Sequence, residues 1–527
     1  MKRRRVLKLL LLATICIVGI IVVPSLKGIK VFDHAKVISG LGIRTDVNQE
    51  EQGLLADQSE ESLEDIDIQD ELLPASSLEL NVLDFGAVAD GLTDNTAAFQ
   101  RALKAASAQQ KKLLIPASEE PYLITDTLTI WKDTFISGYG ATLYMPSSDE
   151  VVNLLLTYGR NVRDVRIEGL SLISTAEVAG EGFAIGRLTS NVQGIHLTGA
   201  ENVELIDIEM TNMYVGLKMG KSADDLPNLD VRVDHMTINN AFTALLMNTT
   251  EGFTMTNSLL DAGAGNDSRL HSAYIDRNCR DINFDYVSFD NSPGGGLHIY
   301  NGYPGTASPT DITVTNSQIR DAKVGVYVYS GSSEVSLTNV EILRSELAFS
   351  ISNVSGLSLE NVSILEGVNP SGSARGCFYI KNLYDSSMDG LIIDGRGMEG
   401  AIFGVYAEMK NVAISGVVAE NVEDIYVLYT AADATVEDVT IRDGAFTTTD
   451  RDYVPVRLIG RGSNILIENS SFVNEGVENS SVVYGEANSG LIFRNNTYTG
   501  YSKLAHESDT SLLEDNRQII VDLEVNN

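Results

Sequence analysis

From Leu113 to about Tyr501 one short phrase keeps returning: apolar-x-apolar-x, then Asn, Gly or another turn residue. It reads Val165-Arg-Ile-Glu-Gly169, Phe253-Thr-Met-Thr-Asn257, Ile312-Thr-Val-Thr-Asn316, Val335-Ser-Leu-Thr-Asn339 and Leu357-Ser-Leu-Glu-Asn361. Later copies are Val412-Ala-Ile-Ser-Gly416, Ile465-Leu-Ile-Glu-Asn469 and Leu491-Ile-Phe-Arg-Asn495, and looser ones centre on His235, Tyr286 and Asp443. Successive steps are mostly 22 to 30 residues. A unit this small cannot bury its apolar face alone, so the units must stack on one another. Almost no helical periodicity separates the copies, which fits a parallel β-helix better than leucine-rich repeats or propeller blades. The recurring Asn predicts an inward amide ladder at a tight turn. The repeats make one solenoid and not several domains.

The flanks differ in kind. Met1–Lys8 carries five positive charges, Leu9–Val23 carries none, and Lys27 is the next charged residue. That pattern reads as a membrane anchor over residues 9–26 or as a secretory signal peptide, and Pro24-Ser25-Leu26-Lys27 has no A-x-A-like cleavage site. The expected location is therefore the cell membrane, single-pass with the C-terminal domain outside, with secretion as the alternative. Asp46 to Glu71 holds eleven acidic residues, and no Lys or Arg falls between Arg44 and Arg101, so this stretch predicts an extended acidic stalk. The division is a signal-anchor over 1–30, a stalk over 31–79 and the solenoid domain over 80–527. A formal charge of −34 argues against nucleic acid as partner. Cys16, Cys279 and Cys377 make neither a disulfide framework nor a CxxC pair.

Order is expected from about Leu80, with a short strand at Asn81–Leu83, turn and cap signals at Asp90-Gly91 and Thr93-Asp94, and a helix at Thr96–Gln109. The segment Asn81-Val-Leu-Asp-Phe-Gly-Ala-Val-Ala-Asp-Gly-Leu-Thr-Asp-Asn-Thr-Ala-Ala-Phe-Gln100 resembles the opening signature of the pectate lyase superfamily, V-x-D-F-G-A-x-G-D-G-x-x-D-D-T-x-A. Ala89 stands where that signature has Gly, and Asn95 where it has Asp. The resemblance covers about residues 80–500. It implies an all-β, single-stranded right-handed parallel β-helix with an N-terminal capping helix. It leaves the activity open, because one fold hosts many functions.

A second phrase follows each repeat core, small-apolar-X-apolar-Z, and alternation puts X and Z together on the solvent face of one stacked sheet. Down the chain X reads His196, Lys218, Leu246, Tyr274, His298, Tyr327, Ser350, Tyr379, Tyr406, Val427, Arg457 and Tyr484. Z reads Thr198, Gly220, Asn248, Asp276, Tyr300, Tyr329, Ser352, Lys381, Glu408, Tyr429, Ile459 and Glu486. Rungs about 4.8 Å apart match the rise of one sugar unit, so an extended polysaccharide can lie along the face with its rings against tyrosines. Lys218, Lys381 and Arg457 reverse the sign of an acidic chain locally, which suits an anionic glycan. With Tyr327, Tyr329 and Tyr379 they are the expected substrate-binding residues.

Two long rungs concentrate the chemistry: Asp261, Asp267, Arg269, His271, Tyr274, Asp276 and Arg277, then Asp290, Asn291, Gly294-Gly295-Gly296, His298, Tyr300 and Tyr303. The expected catalytic set is Tyr274, Asp276, His298, Tyr300, His271 and Arg277. Glycoside hydrolysis needs two carboxyl groups about 5–10 Å apart. Only Asp276 lies on this part of the face. The polygalacturonase motifs N-T-D, G-D-D, G-H-G and R-I-K do not carry over either. Arg269-Leu270-His271 stands where G-D-D would align, Gly294-Gly295-Gly296 where G-H-G would, and only Tyr379-Ile380-Lys381 is similar to R-I-K. β-Elimination or C5 epimerisation of a uronic acid instead needs a group to neutralise the carboxylate, a base for the C5 proton and an acid. His298 is the expected base, Tyr274 or Tyr300 an acid or base, Arg277 or Lys218 the carboxylate partner, and Asp276 the residue that orients His298. The leading expectation is an extracytoplasmic lyase or C5-epimerase of an acidic glycan, needing no cofactor, with calcium as a further option. The alternatives are a glycoside hydrolase and a non-catalytic glycan-binding or spacer protein of an exopolysaccharide system. No oligomeric state is assigned.

Overall fold

The computed structural model describes residues 78–519 except 149–151, 158–161, 176–190, 221–225, 264–269, 368–375, 397–399, 423–424, 449–453, 476–480, 486–489 and 506–511. The expected anchor over 9–26, the acidic stalk, Asp267 and Arg269 lie outside the described residues. Among the described residues no helix is long and apolar enough to cross a membrane.

The chain winds into an all-β parallel solenoid of the right-handed type with about 12 turns and very little helix. Between the two ends, strands pair in parallel with the strand one turn before and the strand one turn after. One column of strands, Val192–Leu197, Val215–Met219, Thr243–Met247, His271–Ile275, Gly295–Ile299, Val324–Tyr329 and onward, carries the X and Z positions. The repeat phrases themselves lie in longer strands such as Thr250–Asp261 and Cys279–Asp290, which bend around the next corner.

Alternation drives the interior. Phe253 and Met255, Ile312 and Val314, and Leu357 and Leu359 point into one continuous core. Phenylalanines stack down its axis: Phe349 on Phe378 at 4.7 Å between ring centroids, and Phe378 on Phe403 at 5.2 Å. Parallel stacking leaves the strands buried on both sides wherever outward side chains also pack.

The turn after each phrase needs a left-handed residue. Asn257, Asn316, Asn339, Asn361, Asn469 and Asn495 all have φ between 48° and 56°. His235, Tyr286 and Asp443, the centres of the looser copies, share it at 53°, 55° and 55°. Asn tolerates this region better than most residues, which is why it recurs. The amide ladder runs along the outside, contrary to the inward one expected. Asn316, Asn339 and Asn361 are exposed. Asn339 Nδ2 donates to Asn316 Oδ1 at 3.1 Å, and Asn316 Nδ2 to Asp285 Oδ1 at 2.8 Å. Inside the turn the next residue takes over: Ser317 Oγ accepts the Val287 N–H at 3.0 Å.

At the N-terminal end the helix spans Thr96–Gln109, and Phe99, Ala102, Leu103 and Ala106 bury into the core. Asp94 accepts the Thr96 N–H at 2.9 Å. The expected strand at Asn81–Leu83 is instead a strand at Glu79–Asn81 followed by a 3₁₀ turn at Val82–Phe85, closed by Gly86 with φ 88°. Asn95, standing for the usual acid, uses both ends of its buried amide: Oδ1 accepts the Val88 N–H at 2.6 Å, and Nδ2 donates to Thr93 O at 2.7 Å.

Candidate functional site

The X ladder follows the expected register from His196 to Tyr379: Lys218 pairs with His196 and Leu246, Leu246 with Tyr274, Tyr274 with His298, His298 with Tyr327, Tyr327 with Ser350, and Ser350 with Tyr379. Beyond it the ladder runs Tyr379, Gly404, Tyr429, Arg457, Tyr484, in place of the expected Tyr406 and Val427. A shift of two residues keeps the same face, where a shift of one would have reversed it. Pairing also slips between Ile380 and Asn382, which leaves Lys381 exposed at a bulge and not in the Z column. Tyr406 reaches back to fill the gap. A Cβ on Gly404 would lie 3.1 Å from its ring, which stacks on Tyr379 at 4.4 Å.

The face is more closed than alternation alone implies. Tyr274, Tyr327, Tyr379 and Tyr429 are 8%, 5%, 6% and 6% exposed. Val324, Tyr327, Leu347 and Tyr379 form an apolar cluster separate from the main core, with Tyr329 and Tyr406 packed against it. Rings of neighbouring rungs meet, Tyr274 on His298 and His298 on Tyr327, then Tyr379 on Tyr406 and Tyr406 on Tyr429, so the layer covers itself. His298, Tyr300, Tyr329, Tyr406 and Arg457 remain half-buried along this layer.

Around His298 the rings converge. Centroid distances are 4.7 Å to His271, 4.7 Å to Tyr274, 5.7 Å to Tyr300, 4.6 Å to Tyr327 and 6.4 Å to Tyr329. His271 Nδ1 accepts the backbone N–H of Gly295 at 3.0 Å, which assigns the His271 proton to Nε2. His271 Nε2 then donates to His298 Nδ1 at 3.5 Å, leaving the His298 proton on Nε2. Burial, and then the neighbouring His271, hold His298 well below the ordinary histidine range, so it is neutral near pH 7. The sequence comparison registered Gly294-Gly295-Gly296 only as a missing histidine. In the structure a Cβ on Gly295 would lie 2.7 Å from the Tyr327 ring, and one on Gly296 would lie 2.4 Å from Ile319 Cγ2. Close approach of backbone to side chain is the signal that three consecutive glycines carried.

Asp276 and Arg277 pair with each other. Asp276 accepts the Arg277 N–H and its Nη1–H, both at 2.7 Å, and Arg277 lies 3.4 Å over the Tyr303 ring. Both residues are buried, at 4% and 3% exposure. Burial pushes the Asp276 carboxyl up to about 6 even though Arg277 and backbone N–H groups pull it down. The expected Asp276–His298 couple is thus replaced by two couples, Asp276–Arg277 and His271–His298. Tyr300 follows Asp276 by one rung, its N–H bonding Ile275 O as that of Asp276 bonds Met247 O. Lys218 is buried two rungs before Tyr274, beside His196, whose Nε2 lies 3.2 Å from Gly220 O.

The remaining acids among the described residues of this region are committed elsewhere. Asp261 accepts from Gly263 N–H at 2.6 Å and Asn291 Nδ2 at 2.8 Å, Asp290 pairs with Arg320, and Glu408 accepts the Tyr384 hydroxyl at 2.7 Å. Among the described residues no pair of carboxyl groups faces His298 in the way hydrolysis requires.

A family model described as rhamnogalacturonase A/epimerase, pectate lyase-like, matches residues 80–369. The tail spike protein of Shigella phage Sf6 is 32% identical over 101 residues, covering 17% of this chain and 16% of that protein, so the chain spans a small part of that relative's length. Among solved structures, the A-module of an Azotobacter vinelandii mannuronan C-5 epimerase is 16% identical, covers 83% of this chain and 99% of its own, and has a TM-score of 0.42. A family 28 exopolygalacturonase from Yersinia enterocolitica is 14% identical, covers 84% and 78%, and has a TM-score of 0.31.

Proposed function

The chain belongs to the rhamnogalacturonase A/epimerase, pectate lyase-like family, and on that premise we propose that it acts on an acidic, uronic-acid-containing polysaccharide as a lyase or C5-epimerase. The observation that carries this reading is the neutral His271–His298 pair set between the phenols of Tyr274 and Tyr300, with no pair of carboxyl groups beside it among the described residues.

The hydrogen-bond order moves His298 from base to donor. With its proton on Nε2, and no acceptor for that proton among the described residues, His298 donates to the uronate carboxylate and draws electron density from C5. One phenol, as phenolate, takes the C5 proton. The other gives its proton to the leaving glycosidic oxygen in elimination, or to the opposite face of C5 in epimerisation, so the protons balance. Asp276 and Arg277 hold the following loop against Tyr303. The tyrosine layer from Tyr327 to Tyr429 supports the glycan on the C-terminal side of the reacting sugar, and export through residues 9–26 would place the domain where such polymers lie.

The test incubates the full chain with galacturonate and mannuronate polymers. Ultraviolet absorbance of unsaturated ends and deuterium exchange at C5 are followed in wild type and His298→Ala. One of the two signals is expected in wild type, falling at least ~100-fold in the variant. New reducing ends without unsaturation would sink the reading in favour of a hydrolase. Binding with none of the three signals would sink it in favour of a non-catalytic glycan binder.

A further inference from the structure

Six rungs beyond His298 on the same ladder stands Arg457, reached through Tyr327, Ser350, Tyr379, Gly404 and Tyr429. Its guanidinium lies over the rings of Tyr426 at 5.8 Å and Tyr484 at 5.6 Å, and Nη1 donates to the Tyr426 hydroxyl at 3.1 Å. The Nε–H is fully buried and meets no acceptor. What sets this arginine apart is its charge balance. Among the described residues, the other arginines not fully exposed each hold a carboxylate: Arg166 with Glu168, Arg277 with Asp276, Arg320 with Asp290, Arg344 with Asp321, and Arg494 with Glu468. Arg457 has none. In a chain of charge −34 acids are abundant, yet among the described residues none is paired with it. A half-buried guanidinium without an anion, and with an idle donor, is unfavourable in the unliganded protein. A bound anion at the accessible edge of the guanidinium would relieve the missing charge balance.

We propose that Arg457 is a distal anion subsite that takes a carboxylate of the same glycan about six sugar units from the unit at His298. The distance is about 29 Å at the ~4.8 Å spacing of parallel strands, and one sugar per rung brings a carboxylate to each step. Planar guanidinium geometry suits a carboxylate, and the flanking tyrosines suit the sugar rings. The site makes the protein a reader of chain length: an oligomer that ends short of Arg457 leaves it unpaired. This rests on the acidic-glycan reading above, but its measurement is binding and needs no turnover.

The experiment titrates the full chain with galacturonate and mannuronate oligomers of two to about twelve units by calorimetry, using wild type, Arg457→Gln and Arg457→Lys, with thermal melts as a check that the variants fold. In wild type, affinity is expected to step up roughly tenfold once oligomers exceed about seven units. Arg457→Gln removes the step and leaves short oligomers unchanged, Arg457→Lys keeps part of it, and carboxyl-reduced oligomers show none. A step that persists in Arg457→Gln, or wild-type affinity that does not depend on length, overturns the subsite. If the oligomers bind with this step but are never turned over, the subsite stands and the catalytic reading falls.

Discussion

Asp276 shows how a buried charge is managed in a strand-end turn. Removal from water disfavours its carboxylate more than Arg277 and the backbone N–H groups favour it, so its titration rises to about 6. A raised folded-state value means that the native chain binds this proton more readily than the unfolded chain between about pH 4 and about pH 6, so its contribution to stability falls as pH rises through that window. Asp276→Asn mimics the protonated form at every pH. Thermal melts in a pH series should therefore show the wild type losing ground to Asp276→Asn from about pH 4 to about pH 6, with the difference constant above. A difference flat across that range would refute this account. Sequence spacing placed Asp276 and His298 in neighbouring rungs, and they are. It did not reveal that Arg277, the next residue, captures the carboxylate, because side-chain pairing depends on where burial removes the competition of water.

The strand-and-turn element has a rule of its own. Several residues per rung sit at positive φ, one of them in the turn after the repeat phrase, and there the amides of successive rungs bond along the outer corner. Asn316 has φ 48° and bonds both Asp285 and Asn339. Asn316→Ala should lose about 1–2 kcal/mol in chemical denaturation, because Ala keeps the Cβ that is strained in the left-handed region and loses the amide whose hydrogen bonds offset that strain. Asn316→Gly should lose less, since only the amide bonds disappear. If Gly proves as harmful as Ala, the ladder and not the backbone sets the preference. The spacing of these turns was plain in the sequence, including the copies at His235, Tyr286 and Asp443. Their outward direction was not, because recurrence shows that a residue is needed and not which way its side chain turns.

The whole molecule is a one-dimensional stack, so its stability is local. Phe378, fully buried between Phe349 and Phe403, joins three rungs beneath the aromatic face. Phe378→Ala should lose about 3–5 kcal/mol, and hydrogen exchange should rise in the rungs from Leu347 to Val405 while the turns near Val165 keep their protection. Uniform loss of protection along the chain would show instead that the solenoid unfolds as one unit. The sequence alone determined the solenoid, its rung spacing, the helix at Thr96–Gln109 and the ladder from His196 to Tyr379, because those follow from alternation, period and turn chemistry, which are properties of neighbours along the chain. Only the tertiary structure decided the slip that replaced Tyr406 with Gly404, the burial of the tyrosine layer, the order of protons through Gly295, His271 and His298, and the isolation of Arg457. Each of these depends on contacts between rungs more than twenty residues apart, where a single inserted residue or a missing acid changes the environment without altering the local pattern.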